Sequence, residues 1–510
     1  MVPVIRLPTE PGGWWHAYVC PAHGVELGHV GLLDGAFPTG GAPCPHGCAV
    51  DTPAVRAAWT VLAHQECARE ILSAARSPAV ADRTVAVRLL REYEARYLAL
   101  GTEPPDGAAD WMLRGRLFHQ ALTEAIWAVS IGRAARCADD AVPALREALV
   151  EASAQARDRL VAEGRFTSNY TAWLCAAGAV CSGRPEWLDG PHGIYAHVLA
   201  ATHDDGWEWE ASTYYHAFVL RAYLLAVRAV PGAAPPAPVR ARLAAMARVL
   251  TDLRTAGGLL PALHDGPYSR RGYDRELTEL SELCDLTPRS ESSGVTVHDG
   301  GGYAVVRGGG VHAVLDFGGH GGSHGHRDKL ALYLYGADTP WQPDPGQVPY
   351  GHGEWRRYYA STAAHPTFAV DGEEQAECTG RLVAVDDTAV TVSCDRAYDG
   401  VSADRRVAVT AAGGVVDELT VTADRPRRIT AHLRPDVPLT VRVTPVGDAE
   451  TAWSGLQALR GTHTASVPAR FVTRPGPGPA DDPQRTRTHV DWTADATTRV
   501  TFRSVYRMEE

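Results

Sequence analysis

Apolar residues recur three and four positions apart over the first half of the chain, in the segments 54–75, 80–98, 108–135, 141–163, 169–181, 194–202, 211–230 and 239–255. That period predicts successive amphipathic helices with turns between them. Repeated antiparallel helix pairs stack as a solenoid or close into an α/α toroid. The Pro- and Gly-rich run 231–238 reads as a connection between two helices, not as a linker between domains. After Ser290 the period falls to two. Short alternating runs at 303–307, 312–317, 329–335, 368–370, 381–385, 389–394, 405–409, 414–422, 428–433, 440–443 and 498–502, separated by Gly, Pro and Asp, predict stacked antiparallel sheets. The expected architecture is an α+β multidomain chain: an N-terminal arm (1–51), a helical domain (52–289) and an antiparallel β-sandwich (290–510). The substrate cleft is expected where the helical and sheet domains meet.

Length and composition agree with several cores in one ordinary globular protein: 510 residues, 45% hydrophobic and 21% charged. The formal charge of −11 lacks the basic footprint of a nucleic-acid binder, so an acidic polymer would have to be held by a local basic cleft. The first residues show no basic segment followed by an apolar core, and no apolar run reaches membrane-spanning length. The expectation is a soluble, cytoplasmic protein with neither nucleic acid nor membrane as partner. In that setting ten cysteines are thiols or metal ligands sooner than a disulfide framework.

Two sets of residues have the spacing of metal ligands. Cys20 and His23, then Cys44 and Cys48, form two short pairs about twenty residues apart, as in a zinc-ribbon-like knuckle, with His46 as a competitor. A glycine-rich arm with incidental thiols is the equal alternative. Farther on, His324 and His326 are two residues apart on a segment that, if extended, points both rings to one side. Asp344 in a Pro-Asp-Pro-Gly turn and His365 before a strand could join His326. Two histidines and a carboxylate suit zinc or a similar divalent ion. Solvated turn residues are the alternative.

The run HGHRDKLALYLYG (324–336), then DPG (344–346), then RRYYASTAAHPTFAVDGEEQ (356–375) resembles the signature of the heparinase II/III-like polysaccharide lyases, which include oligoalginate lyases. DGWEWEASTYYH (205–216) resembles a second motif of that family. The resemblance favours an incomplete toroid followed by the β-sandwich, and implies β-elimination of a uronate-containing glycan to a 4,5-unsaturated end. It makes His326, Asp344 and His365 the metal ligands, and His324 the active-site histidine. Tyr215 becomes the catalytic phenol and Asn169 the amide that neutralises the uronate carboxylate. Tyr170, His216, Arg356, Arg357 and Gln375 fall at substrate-binding positions. The implied partner is an acidic oligosaccharide or polysaccharide, and the family includes dimers, so a homodimer is compatible.

The chain departs from the family pattern at Tyr170, where histidine is common, at Ala360, where arginine is usual, and at Pro366, where asparagine is usual. Each residue also has a plainer reading: Asn169 as a helix N-cap, and Tyr214, Tyr215 and His216 as packed aromatics. Two rival functions stay open. One is a glycoside hydrolase using two of Asp205, Glu208 and Glu210; the other is a catalytically silent carbohydrate-binding protein that keeps the fold.

Overall fold

A strand covered on both faces loses the polar alternation of a half-solvated one, and Tyr303–Gly308, Val311–Asp316 and Leu332–Tyr335 are buried almost without interruption. A computed structural model describes residues 3–100, 110–139, 141–268, 273–287, 293–347, 349–444 and 448–509. In it these strands are the centre of an antiparallel sheet of five, ordered Gly294–His298, Tyr303–Gly308, Val311–Asp316, Leu332–Tyr335 and Pro340–Gln342. Ala304, Val306, Leu315, Leu332 and Leu334 on one face join Val390, Val407, Leu419, Val421 and Phe502 in a common core. Tyr303, Val305, Val314 and Tyr333 on the other face pack with Trp207, Val249, Leu253 and Leu263.

The second sheet faces that common core from the other side. Its path runs Leu439–Val443, Ala449–Trp453, Leu459–Ala465, Arg487–Met508, Val415–Leu433, Val401–Val409, Ala389–Cys394 and Arg381–Val385. Here alternation survives, as in Val401–Val409, whose buried and exposed residues take turns. The separate strands expected at 414–422 and 428–433 are one, Val415–Leu433, whose pairing with Arg487–Met508 shifts register between Thr422 and Ile429. The strand expected from 329 begins only at Leu332, because Leu330 adopts positive φ (63°).

Two units divide the chain. The sheet-bearing one comprises Thr202–Phe218, Arg242–Val348 and Gly353–Glu510. The helical one comprises Met1–Ala201, Val219–Ala241 and Pro349–His352. In it Pro53–Arg76 packs on Ala121–Cys137, and that helix on Asn169–Ser182, while Val80–Ala99 meets Pro143–Ala162. This two-layered arrangement is an incomplete α/α toroid. Asn169–Ser182 is buried nearly all round, the expected state of a helix without a polar face. Thr52 caps Pro53–Arg76 by accepting from the Val55 amide (3.2 Å), with proline in the first turn. The helix expected over 108–135 starts at Ala121; its first residues, 108 and 109, lie outside the described residues.

Candidate active site and metal centre

Loops of the sheet-bearing unit carry the chemistry, held by hydrogen bonds to one another. Asp205 accepts from the amides of Trp207 and Gly301, both at 3.1 Å. Tyr303 donates its hydroxyl to the Ala211 carbonyl (2.7 Å), and Ser212 donates to the Asp265 carbonyl (2.5 Å) while accepting from the Tyr215 amide (3.2 Å). Ala211 and His264 both hold left-handed backbone, φ 59° and 58°, a strain that only such surrounding bonds maintain. Gly325 separates the two histidines because a Cβ there would sit 1.2 Å from the His320 carbonyl oxygen.

Asp265 is the hub. Its Oδ2 accepts from His324 Nδ1 (2.9 Å) and its Oδ1 from His326 Nε2 (3.1 Å), and Arg356 forms an ion pair with Oδ1. Burial works to raise the pKa of this carboxyl. The Arg356 guanidinium and the two imidazole hydrogen bonds outweigh it and hold the group well below the usual carboxylate range. A charged Asp265 at Nδ1 favours the His324 tautomer that carries its proton on that nitrogen. The Tyr215 ring stacks on that imidazole, centroids 3.7 Å apart and planes 21° apart. Glu210 Oε1 lies 3.7 Å from His324 Nε2.

Behind this pair, His326, Asp328, Asp344 and His365 are all buried, and one ligand atom from each lies within 4.8 Å of the others. His365 Nδ1 donates to the Ser361 carbonyl (2.8 Å) and His326 Nε2 to Asp265, while the remaining nitrogens face each other 3.0 Å apart, with Asp344 Oδ1 3.8 Å from His365 Nε2. Asp328 Oδ1 is buried, 3.4 Å from both Lys329 Nζ and His264 Nε2. Two imidazole nitrogens and two buried carboxylates converging on one point form a donor set that suits a divalent cation. The neighbouring group His264, Asp316 and Asp328 is neutralised internally: Lys329 Nζ is 2.5 Å from Asp316 and 3.4 Å from Asp328. Burial lowers His264, but Asp328 and Asp316 together bring it up to about 10. A third group, Cys20, His23, Cys44 and Cys48, lies in the helical unit.

Tyr215, His324, Arg356 and the candidate ligands His326, Asp344 and His365 thus share one neighbourhood. His324 ends a short 3-10 turn, Gly322–His324, so the two histidines are not on an extended segment; both reach the same side because Asp265 offers an oxygen to each. Arg356 donates to the Ser323 carbonyl (2.7 Å) as well as to Asp265, and Arg357 is exposed on the same helix, Gly353–Tyr359. Two residues expected at substrate-binding positions are buried. His216 is fully buried, its Nε2 donating to the Met246 carbonyl (2.9 Å) and its Nδ1 accepting from the Glu208 amide (3.3 Å); burial lowers it to about 4. Gln375 is fully buried too, and its amide donates to Lys329 and Phe368 carbonyls and to Thr367, bracing the strands.

In the helical unit, Asn169 begins its helix but does not cap it; Ser168 does, accepting from the Tyr170 amide (3.3 Å). Tyr170 is nearly buried and its hydroxyl accepts from the Gln120 amide (2.5 Å). Of the carboxylates a hydrolase would need, Asp205 is held by backbone amides. Glu208 is buried, accepts from the Glu210 amide (3.0 Å), and is raised well above the usual range by burial and by Glu210. Sequence reasoning missed Asp328 and Asp265. The first was legible as the position two after His326; the second stands 59 residues from His324 and carries no local signal.

The fold is that of polysaccharide lyases. Heparinase III matches with a TM-score of 0.68 at 14% identity, over 100% of this chain and 87% of that one. A mutant of the heparan sulfate lyase HepC from Pedobacter heparinus gives 0.64 at 14% identity, over 90% and 78%. A xanthan lyase from Paenibacillus gives 0.52 at 10% identity, over 94% of this chain and 56% of its own. The family model that matches is the heparinase II/III-like, C-terminal domain, over residues 292–501. No curated protein sequence matches the chain. Among the described residues no helix is long and apolar enough to cross a membrane.

Proposed function

We propose that the protein is a polysaccharide lyase that cleaves uronate-containing acidic glycans by β-elimination, leaving a 4,5-unsaturated uronate end. The observation that carries the reading is the Tyr215 phenol stacked on a His324 imidazole that Asp265 orients. Elimination takes the proton from C5; the C–H electron pair becomes the C4–C5 double bond, and O4 leaves with a proton. His324, its Nδ1 held by Asp265, suits the base, and the Tyr215 hydroxyl suits the acid at O4. Tyr215 serves as base as well where the C5 configuration turns the proton toward it.

The C5 proton is weakly acidic while the neighbouring carboxylate keeps its charge, so that charge has to be met by donors. By the resemblance this is the Asn169 amide, with Tyr170 next to it. Arg357 is available to pair with an acidic sugar, while Arg356 serves to fix Asp265. His326, Asp328, Asp344 and His365 would hold a zinc ion. It would supply positive charge against the buried carboxylates and fix the loops that carry His324; elimination consumes no water, so none needs activating.

The test is incubation with heparan sulfate, hyaluronan, chondroitin, alginate, xanthan and their oligomers. Ultraviolet absorbance of the conjugated uronate and release of reducing ends are followed together. Elimination raises both. Reducing ends without the chromophore would mean hydrolysis, and binding with neither signal would mean a silent carbohydrate-binding protein.

A further inference from the structure

We propose that Cys20, His23, Cys44 and Cys48 form a closed structural zinc site that holds the N-terminal arm together, independently of the catalytic reading. Three sulfurs converge on one imidazole nitrogen: His23 Nδ1 lies 3.4 Å from Cys20 Sγ, 3.4 Å from Cys44 Sγ and 3.5 Å from Cys48 Sγ. Cys20 and Cys48 sulfurs are 3.3 Å apart. In a tetrahedral Zn²⁺ site with three thiolates and one imidazole, ligand atoms stand about 3.5–3.8 Å from one another. The arrangement is close to that before any ion pulls on it, and four protein ligands leave no open position.

The backbone is folded for the purpose at both ends. Gly24 donates its amide to the Cys20 carbonyl (2.8 Å) and Gly47 to the Cys44 carbonyl (2.9 Å), each in a tight turn with positive φ, 69° and 89°. The short strands Ala42–Pro43 and Ala49–Val50 pair around the second turn. Amide hydrogens aim at the sulfurs as they do at thiolates: His46 N donates to Cys44 Sγ (3.4 Å), and the Ala22 and His23 amides donate to Cys20. His46 is exposed and is not one of the four.

The arm's apolar residues Tyr18, Val25, Leu27, Ala42 and Val50 pack against Val55, Ala58, Trp59 and Ala63 of the following helix, with Leu32 and Phe37 partly buried beside them. A loop-rich arm on so small a core gains from a metal clip. Thiolates and imidazole select zinc over the harder divalent ions. Binding releases the thiol protons and leaves the site with one net negative charge.

The test uses the full-length protein purified without chelator and compares it with Cys44→Ser and Cys48→Ser. Zinc measured by elemental analysis should fall by one equivalent per chain in each variant, whatever the sheet-bearing unit retains. Protein exchanged into cobalt should show the near-ultraviolet thiolate-to-cobalt charge-transfer band and strong visible bands of a tetrahedral thiolate site. A site of His and Asp alone gives no such charge-transfer band. Should the variants fail to fold, the wild type still decides: chelation should expose three more thiols to a thiol reagent and open the 20–50 segment to protease. A wild type lacking the charge-transfer band, a Cys20–Cys48 disulfide found by mass spectrometry, or an unchanged zinc content in Cys48→Ser would overturn the proposal.

Discussion

The Tyr215 phenol lies face to face with the His324 imidazole, centroids 3.7 Å apart, on a tyrosine 6% exposed and a histidine side chain 14% exposed. A phenol is a poor base at its ordinary pKa near 10. Pairing it with an imidazole whose other nitrogen is anchored on Asp265 gives two proton-transfer groups at one point. Loss of the hydroxyl should remove the acid and spare the packing. Tyr215→Phe is expected to lower turnover by about 10²–10⁴-fold with glycan affinity nearly unchanged, read by unsaturated-uronate absorbance and by calorimetry. Equal turnover would take Tyr215 out of the mechanism.

Asp265 fixes which nitrogen of His324 carries the proton. Asp265→Asn keeps the shape, yet its amide can offer a donor where His324 Nδ1 also donates, favouring the wrong tautomer. We expect kcat to fall about 10²-fold or more, with the far-ultraviolet circular dichroism of the wild type. A variant as active as the parent would show that the tautomer is set elsewhere.

Replacing His365 removes a ligand from among buried carboxylates. Asp344 then lies fully buried without its imidazole partner and the cation it would share, a situation that costs about 3 kcal/mol or more. His365→Ala is therefore expected to lose one metal equivalent and to unfold at lower denaturant, with metal measured by elemental analysis. A variant that stays fully stable but loses turnover at once would mean that the ion acts in the chemistry and not in the architecture.

Glu208 is held neutral by burial and by the nearby Glu210, its pKa well above the usual value. A carboxyl raised on folding adds stability below its unfolded pKa and loses it as pH rises through the folded one. Glu208→Gln, neutral at every pH, should accordingly gain on the wild type as pH increases. Denaturation midpoints at pH 4 and pH 8 should differ little at the first and favour the variant at the second. The reverse order would mean that Glu208 is ionised in the fold.

The periods of the apolar residues told most of the secondary structure, because helices and strands bury one stripe or face and the spacing records it. Pro53–Arg76, Val80–Ala99 and Pro143–Ala162 begin and end within about two residues of the expected segments. Alternation also located Arg381–Val385 and Ala389–Cys394 to the residue. What it could not show was which strands merge, since the shift of register between Thr422 and Ile429 is a pairing decision made with Arg487–Met508.

For the proposed site, the sequence supplied the candidate side chains: Tyr215, His324, His326, Asp344 and His365 stand in motifs that are read from residue type and local spacing. Only the tertiary structure could bring Asp265 between the two histidines, from a loop far away in the chain, or remove His216 and Gln375 from solvent. A motif records what lies within a few residues. Which carboxylate orients an imidazole, and which polar group is left without water, depend on contacts that close long loops and leave no periodic trace in the chain.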